Sequence, residues 1–279
     1  MDRFSICLPG NMELRLGRRT LVMGILNVTP DSFFDGGRFL DADAAIRRGL
    51  EMVGEGADLI DIGGESTRPG AAPVSPDEEM RRVLPVVRAL ATQTDLPLSI
   101  DTRHGETARA AVDAGATILN DVTGMRDPLA ASAAADTGAA VILMHMRGTP
   151  ADMHRHTGYF DLLREVREKL RGRIDEAVGA GVDPSRIILD PGIGFAKDAA
   201  QSMELIRNLD VLGSLGHALL VGPSRKSFLA AIEETAPTER RDLTLGAVAA
   251  CAANGAHIVR VHDVRATAQV LRAFEALKR

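Results

Sequence analysis

Eight short apolar runs along this chain each end in a polar or charged residue, and a helix-like stretch separates each run from the next. A parallel β-strand is buried on both faces, so it reads as a continuous apolar run and ends where a polar residue can leave the core. Eight strand–helix units predict an α/β fold, the (β/α)₈ TIM barrel, whose active site is built from the carboxyl ends of the strands. The runs are LVMGIL ending at Asn27, ADLI at Asp61, PLSI at Asp101, ATIL at Asn120, AVILM at His145, RIIL at Asp190, ALLVG at Ser224 and HIV at Arg260.

The length of 279 residues is close to the roughly 250 typical of one such barrel, so we expect a single domain over residues 1–279. Residues 3–19 predict a β-hairpin, since FSICL and MELRL flank a turn at Pro9-Gly10-Asn11. We expect this hairpin to cap the bottom of the barrel, opposite the chemistry.

The helices are predicted from apolar spacing and from end signals. Ser75 and Pro76 are typical of a helix start, and Gly residues close many units. The stretch 245–253 is small on every side, so it is expected to pack against the barrel or against a second subunit. Besides the helix that follows Ser75, helices are expected near 41–54, 104–114, 127–137, 160–180, 199–209, 242–254 and 264–278.

Composition argues against several classes of partner. Lys and Arg total 33 against 38 Asp and Glu, a net charge of −5, which favours neither nucleic acid nor an anionic membrane as partner. No apolar stretch approaches membrane-spanning length. Cys7 and Cys251 lie far apart without metal or redox spacing, which is typical of reduced thiols, and a cytoplasmic location is expected.

Carboxylates and amides dominate the predicted strand ends. Asp61, Asp101 and Asp190 could converge on one pocket, where they could bind a metal, abstract protons or accept hydrogen bonds. With Asn27 and Asn120 they form a row of donors and acceptors suited to a heterocycle such as a pterin or a purine. A single strand-end Asp is often only a helix cap, and that alternative stays open for each one.

A phosphate site is predicted after the last two strands. Barrels often bind phosphate there, beside a helix amino terminus. Arg260 and His262 share one face of the last strand and could both contact an anion. Ser224-Arg225-Lys226-Ser227 follows the preceding strand. The alternative is that Arg225 and Arg260 are structural and pair with barrel carboxylates.

The histidines give weaker signals. His145 lies between Met144 and Met146 at a predicted strand end, where it could serve only to position its neighbours. His154 and His156 lie in a polar loop without a third metal ligand, so no zinc site is expected and exposed or lid positions are favoured.

Taken together, the motifs resemble those of the dihydropteroate synthase family of pterin-binding barrels. The resemblance covers about residues 20–270 in order and spacing. It rests on Met23–Phe33, Asp61–Gly70, Ser99–Thr102, Asn120-Asp121, Leu143–Met146, Asp190–Phe195, Ser224–Ser227 and Arg260–Val264.

That resemblance implies condensation of 6-hydroxymethyl-7,8-dihydropterin diphosphate with 4-aminobenzoate by an S_N1-like path, and a homodimer. It implies Asp101, Lys226 and Arg260 as catalytic residues. The pterin residues would be Asp101, Asn120, Met144, Asp190 and Lys226; the diphosphate residues Arg68, Arg260 and His262; the aminobenzoate residues Thr67, Pro69, Phe195 and Ser227. Asn27 would ligate the cofactor, Mg²⁺.

Two alternatives remain. One is a methyltetrahydrofolate-dependent corrinoid methyltransferase, and the other is a non-catalytic pterin-binding module. This chain has Gly194-Phe195-Ala196-Lys197 where family members often have Gly-Phe-Gly-Lys. Since Ala disfavours positive φ, the loop is expected to adopt an ordinary conformation at Ala196.

Overall fold

A closed barrel of parallel strands forms the centre of the computed structural model, which describes residues 2–29, 38–66 and 74–277. Within these ranges eight strands pair in chain order, and the last strand pairs with the first. The strands are β3 (Leu21–Asn27), β4 (Leu59–Gly63), β5 (Leu98–Asp101), β6 (Ile118–Asp121), β7 (Ala140–Met144), β8 (Ile187–Asp190), β9 (Ala218–Val221) and β10 (Ile258–Val261). The barrel prediction is confirmed.

The polar residues that were expected at strand ends lie at different depths. Asp101 and Asp190 are the last residues of β5 and β8, as predicted. The prediction that Asp61 ends a strand is wrong, because β4 continues for two further residues. The Asp61 carboxylate is fully buried. Arg260 likewise lies inside β10, and Ser224 lies beyond the end of β9.

The predicted hairpin closes the amino-terminal end of the barrel. It consists of β1 (Phe4–Leu8) and β2 (Met12–Leu16), which pair antiparallel around a 3₁₀ turn at Pro9–Asn11. Alternate residues on one face are buried, because side chains of a strand point to opposite faces in turn. Those residues form one apolar cluster with inward residues of the barrel strands; the hairpin members are Ile6, Leu8, Leu14 and Leu16.

The helices surround the barrel close to their predicted positions. Ser75 caps α2 by accepting a hydrogen bond from the backbone N–H of Glu78 at 3.3 Å, and Pro76 follows it. A single helix was predicted over 199–209, where the structure has α6 (Ala199–Arg207) followed by the short α7 (Leu209–Gly213). The helices are α1 (Arg38–Glu55), α2 (Pro76–Gln93), α3 (Gly105–Asp113), α4 (Pro128–Thr137), α5 (Leu162–Gly179), α6 (Ala199–Arg207), α7 (Leu209–Gly213), α8 (Arg241–Ala253) and α9 (Val264–Leu277).

The small-residue helix α8 packs against the barrel with one side. Val248 and Cys251 are buried in the main apolar cluster, whereas Gly246 and Ala253 are exposed. The first of the two expected roles is therefore confirmed for this inner side. Across the described ranges, none of the helices combines the length and apolarity that crossing a membrane requires.

Candidate active site

Polar side chains meet at the carboxyl ends of the strands, because parallel strands of one barrel all end at the same face. The guanidinium of Arg260 lies between two carboxylates there. Its Nε donates to Asp61 Oδ2 at 2.5 Å, and its Nη2 donates to Asp101 Oδ2 at 2.6 Å. Asn120 Nδ2 also donates to Asp61 Oδ2, at 3.0 Å. The expected convergence of strand residues is confirmed for Asp61, Asp101 and Asn120, and Arg260 joins them.

Of the two interpretations of Arg260, pairing with barrel carboxylates is the one that the contacts show, and diphosphate binding stays a prediction. Two carboxylates share this one guanidinium, so the three groups together carry a surplus negative charge when both carboxylates are ionised. Burial raises the pKa of Asp101 from its ordinary 3.8 to about 7; Arg260 opposes the rise and Asp61 adds to it. Burial works against the charge of Arg260, but Asp61 and Asp101 together hold its pKa above the ordinary value.

A second pair of charged groups, Asp190 at the end of β8 and Lys226 after β9, lies near Arg260 at the barrel mouth. Burial lowers the pKa of Lys226 to about 8, and the nearby carboxylate of Asp190 opposes that change. Burial raises the pKa of Asp190, whereas Lys226 lowers it. The Lys226 ammonium donates to the carbonyl of Ile193 and lies 4.3 Å from the centre of the Phe195 ring. A titratable pair and an aromatic face therefore lie on one side of the mouth.

The turn after β8 depends on left-handed backbone. Gly192 has φ +67°, and a Cβ there would lie 2.1 Å from the carbonyl oxygen of His145, so only glycine fits. Asp190 Oδ1 accepts from the N–H of Gly192 at 2.7 Å. The expectation of an ordinary conformation at Ala196 is wrong, because its φ is +51°. Ala196 is 1% exposed, and its methyl group packs in a buried cluster whose other members are Val122, Met144, Met146 and Met153, with Phe195 against it.

His145 contacts a buried lysine that the sequence did not single out. The Nζ of Lys197 lies 2.9 Å from His145 Nδ1. It also donates to the carbonyl oxygens of Phe195 at 2.9 Å and Gly192 at 3.1 Å. Burial, and after it the charge of Lys197, lower the pKa of His145 to about 2, so the imidazole is neutral.

The loop after β9 is held by its neighbours. Ser224 Oγ lies 2.9 Å from His262 Nδ1 and accepts from the backbone N–H of His262 at 3.2 Å. Arg225 pairs with Asp263, Nη2 to Oδ1, at 2.9 Å. The structural alternative for Arg225 is therefore confirmed. Ser227 is exposed at the start of the next 3₁₀ turn.

The remaining residues singled out in the sequence differ in exposure, and three of them lie outside the described residues. Asn27 ends β3 opposite Gly63 and is partly buried. His154 and His156 are exposed, as expected. Thr67, Arg68 and Pro69 lie outside the described residues.

A second polar network lies beside the mouth. Arg103 donates to Glu65 through Nε and Nη2, each at 2.9 Å, and the buried Glu79 carboxylate lies 3.1 Å from His104 Nδ1. Among the described residues, ligand atoms of Glu65, Glu79 and His104 lie within 4.8 Å of one another. Arg103 already neutralises Glu65, so the contacts account for this group as a structural ion-pair network.

Comparison with known proteins agrees with this geometry. Residues 23–262 match the family of pterin binding enzymes. The dihydropteroate synthase of Synechocystis is 50% identical over 281 residues, which span 100% of this chain and 97% of that protein. The chain belongs to the dihydropteroate synthase family.

Solved structures of the dihydropteroate synthase family superpose closely on the barrel. The Xanthomonas albilineans synthase with 4-aminobenzoic acid has a TM-score of 0.92 and 44% identity, and the match covers 99% of each chain. The same organism's synthase in complex with 7,8-dihydropteroate has a TM-score of 0.85 and 43% identity, with 94% of each chain covered.

Two features of this dihydropteroate synthase family member were missed from the sequence. Asp61 was considered only together with the other strand-end carboxylates and received no role of its own, and it proves to be the shared partner of Arg260 and Asn120. Lys197 carried a signal, since it is the only charge directly after the apolar stretch 191–196. A lysine in that position is expected to find acceptors if the stretch is buried.

Proposed function

We propose that the protein condenses 6-hydroxymethyl-7,8-dihydropterin diphosphate with 4-aminobenzoate, giving 7,8-dihydropteroate and diphosphate. Family membership supports this reaction, as do the relatives whose structures contain 4-aminobenzoic acid or 7,8-dihydropteroate. The observation that carries the proposal is the network at the barrel mouth in which Asn120 and Arg260 both donate to the buried Asp61 carboxylate and Arg260 also donates to Asp101.

The pterin would bind among the strand-end carboxylates and amides. Asp101, Asn120 and Asp190 offer both donors and acceptors to the edge of a heterocycle. Lys226 supplies a cation on the same side, and the buried thioether of Met144 offers an adaptable apolar contact to a flat ring.

The diphosphate would lie toward β3 and β10. Arg260 uses Nε and Nη2 for its carboxylates, which leaves Nη1 available to an anion among the contacts of the described residues. Ser224 orients the imidazole of His262, and Arg68 is proposed as a further cation. Asn27 would offer one amide oxygen to Mg²⁺, which fits a cation that takes most of its ligands from phosphate and water. When bound, Mg²⁺ would neutralise charge on the leaving diphosphate.

The reaction breaks the bond between the methylene carbon and diphosphate oxygen and forms a bond from that carbon to the aniline nitrogen. The aniline nitrogen is a weak nucleophile, so departure of diphosphate before attack suits it better than direct displacement. Asp101 would stabilise the positive charge that develops on the pterin methylene. Thr67, Pro69, Phe195 and Ser227 would shape the aminobenzoate pocket, and the nitrogen would lose its proton after the bond forms.

We also propose a homodimer in the cytoplasm. The outer side of α8 presents small residues such as Gly246 and Ala253, which would allow close approach of a second helix. Cys7 and Cys251 are both free thiols, as is usual in a reducing compartment.

One experiment tests the reaction. Purified protein is mixed with both substrates and Mg²⁺, released diphosphate is measured, and the product is identified by mass spectrometry. We expect diphosphate and dihydropteroate in equal amounts. Methyl transfer from methyltetrahydrofolate to a corrinoid would support the methyltransferase instead, and pterin binding without diphosphate release would support a non-catalytic module.

A further inference from the structure

We propose that Lys197 and His145 are positioning residues for the aminobenzoate side of the site. Their hydrogen bond holds the turn 191–196, which presents the Phe195 ring and the Ile193 carbonyl to Lys226. This inference rests on the proposed function, because the proposed function is what assigns Phe195 to the aminobenzoate pocket.

The first argument is how completely the turn encloses Lys197. The side chain is buried, with 7% exposure. Its Nζ lies within hydrogen-bonding distance of His145 Nδ1 and of three carbonyl oxygens, the longest of these contacts being 3.4 Å to His145 O. A buried ammonium needs such acceptors to replace water. The turn is therefore wrapped around Lys197.

The second argument is that the turn lies between two lysines. On one side, Lys197 binds the carbonyls of Gly192 and Phe195. On the other side, Lys226 binds the carbonyl of Ile193 and lies over the Phe195 ring. A shift of the turn would therefore move both groups that contact Lys226, the Ile193 carbonyl and the Phe195 ring. Lys197 itself does not contact Lys226 through a hydrogen bond among the described residues, so it acts through the turn.

The third argument is the role this gives to His145. Its ring is buried with 2% exposure, and its backbone N–H donates to the carbonyl of Asp190 at 2.9 Å. The carbonyl oxygen of His145 lies 2.1 Å from the position that a Cβ on Gly192 would take. His145 thus fixes β7 to the start of the turn with its backbone, while Nδ1 accepts from Lys197. The imidazole is therefore the tautomer that carries its proton on Nε2.

Two substitutions at one position separate positioning from mere bulk. His145→Leu keeps an apolar side chain of similar size but has no acceptor, whereas His145→Asn keeps an acceptor close to the position of Nδ1. We expect His145→Leu to raise the KM for 4-aminobenzoate about tenfold and the KM for the dihydropterin diphosphate less than about twofold. We expect His145→Asn to recover most of that loss. His217→Leu makes the same exchange directly before β9, at the amino-terminal end of the barrel, and is the matched control that should leave both constants unchanged.

Nuclear magnetic resonance of ¹⁵N-labelled histidine tests the contact without relying on activity. At about pH 6 two buried imidazoles should show an unprotonated, hydrogen-bonded Nδ1 and a protonated Nε2: His145, and His257, whose Nδ1 accepts from the backbone N–H of Leu219 at 3.1 Å. The His145 signal is the one that should disappear in His145→Asn and shift in Lys197→Met, while the His257 signal should stay unchanged. If a variant does not fold, a wild-type spectrum with fewer than two such imidazoles still contradicts the contact.

The outcomes distinguish this inference from the proposed function. If the wild-type protein releases no diphosphate, the proposed function fails, and the spectrum still tests the hydrogen bond. An active His145→Leu protein with an unchanged KM for 4-aminobenzoate overturns the positioning role. So does an equal change in both KM values, or a proton on His145 Nδ1 in the wild-type spectrum.

Discussion

Asp61 and Arg260 form a buried ion pair at the centre of the barrel mouth, with Nε and Oδ2 2.5 Å apart. The carboxylate is fully buried, and its other oxygen has no hydrogen-bond partner among the residues that the structure describes. A charge held this deeply depends on its cation, and the cation in turn depends on two carboxylates. The pair therefore links stability to the electrostatics of the site.

Removing that charge tests the link. We expect Asp61→Asn to lower the free energy of unfolding by about 1–3 kcal/mol, because Arg260 loses one carboxylate but keeps Asp101. Urea unfolding measures this change. The exposed Asp113→Asn is the control, since its carboxylate lies 3.9 Å from Arg109 at the surface and should contribute less than about 0.5 kcal/mol. Equal losses in the two variants would contradict the role of the pair.

The pH dependence of kcat/KM follows from the two shifted groups. The pKa of Asp101 is about 7 and that of Lys226 about 8. If catalysis needs a carboxylate and an ammonium, activity should fall below about pH 7, as Asp101 gains its proton, and above about pH 8, as Lys226 loses its proton. Asp61→Asn should move the acid limb to lower pH, since the Asp61 charge raises the pKa of Asp101. A flat profile between about pH 6 and pH 9 would be inconsistent with these assignments.

The same shift has a stability consequence of defined sign. Because the folded pKa of Asp101 lies above its ordinary 3.8, the folded state holds a proton that the unfolded chain releases between about pH 4 and pH 7. The contribution of this group to the free energy of unfolding therefore decreases as pH rises through that window. Urea unfolding of wild type and Asp101→Asn across the window should differ in slope by the loss of this one titration.

Catalysis and binding should separate at Asp101. We expect Asp101→Asn to lower kcat by about 100-fold or more, because the carboxylate would stabilise charge that appears only in the transition state. The dissociation constant for diphosphate should change less than about threefold, since the residues proposed to bind diphosphate are Arg68, Arg260 and His262 and do not include Asp101. Steady-state kinetics and calorimetry with diphosphate measure the two effects. Turnover near the wild-type rate would remove Asp101 from the mechanism.

Glycine at position 192 is required by a close contact as well as by its φ. Gly192→Ala would place a Cβ 2.1 Å from His145 O at φ +67°. We expect a loss of about 2–5 kcal/mol in the free energy of unfolding from backbone strain and overpacking. Gly172→Ala on α5 is the control, because nothing lies within 4 Å of its added Cβ. A helix-interior alanine there should stabilise the protein by up to about 1 kcal/mol. A neutral Gly192→Ala would show that the turn can move.

Ala196 balances strain against packing. Relief of its left-handed backbone in Ala196→Gly should offset the loss of one buried methyl and the freer unfolded chain, so we expect a change within about 1 kcal/mol. Ala196→Val should destabilise by more than about 2 kcal/mol, because a β-branched residue is poorly tolerated at φ +51° in a buried cluster. Thermal and urea unfolding of both variants check this ordering. Similar stability in the two would mean that φ at this position adjusts freely.

Local patterns along the chain were enough to predict the barrel, the hairpin and most helix bounds. Strand burial and helix amphipathicity repeat at fixed residue spacings, so they are written in consecutive residues. The same patterns placed Asp101 and Asp190 at strand ends, and the joined motifs predicted the family.

Tertiary structure alone decided the partners. Arg260 pairs with Asp61, which lies 199 residues away in the chain, and Lys197 contacts His145 across 52 residues. No local pattern fixes such contacts, because they depend on how deep each strand lies and which way each side chain turns. The positive φ of Ala196 is of the same kind, since the surrounding packing and the hydrogen bonds of the turn hold a conformation that alanine itself disfavours. The sequence by itself determined which face of the barrel carries the polar groups. Only the closed barrel determined which charge neutralises which, since buried electrostatics depend on distances that chain order does not contain.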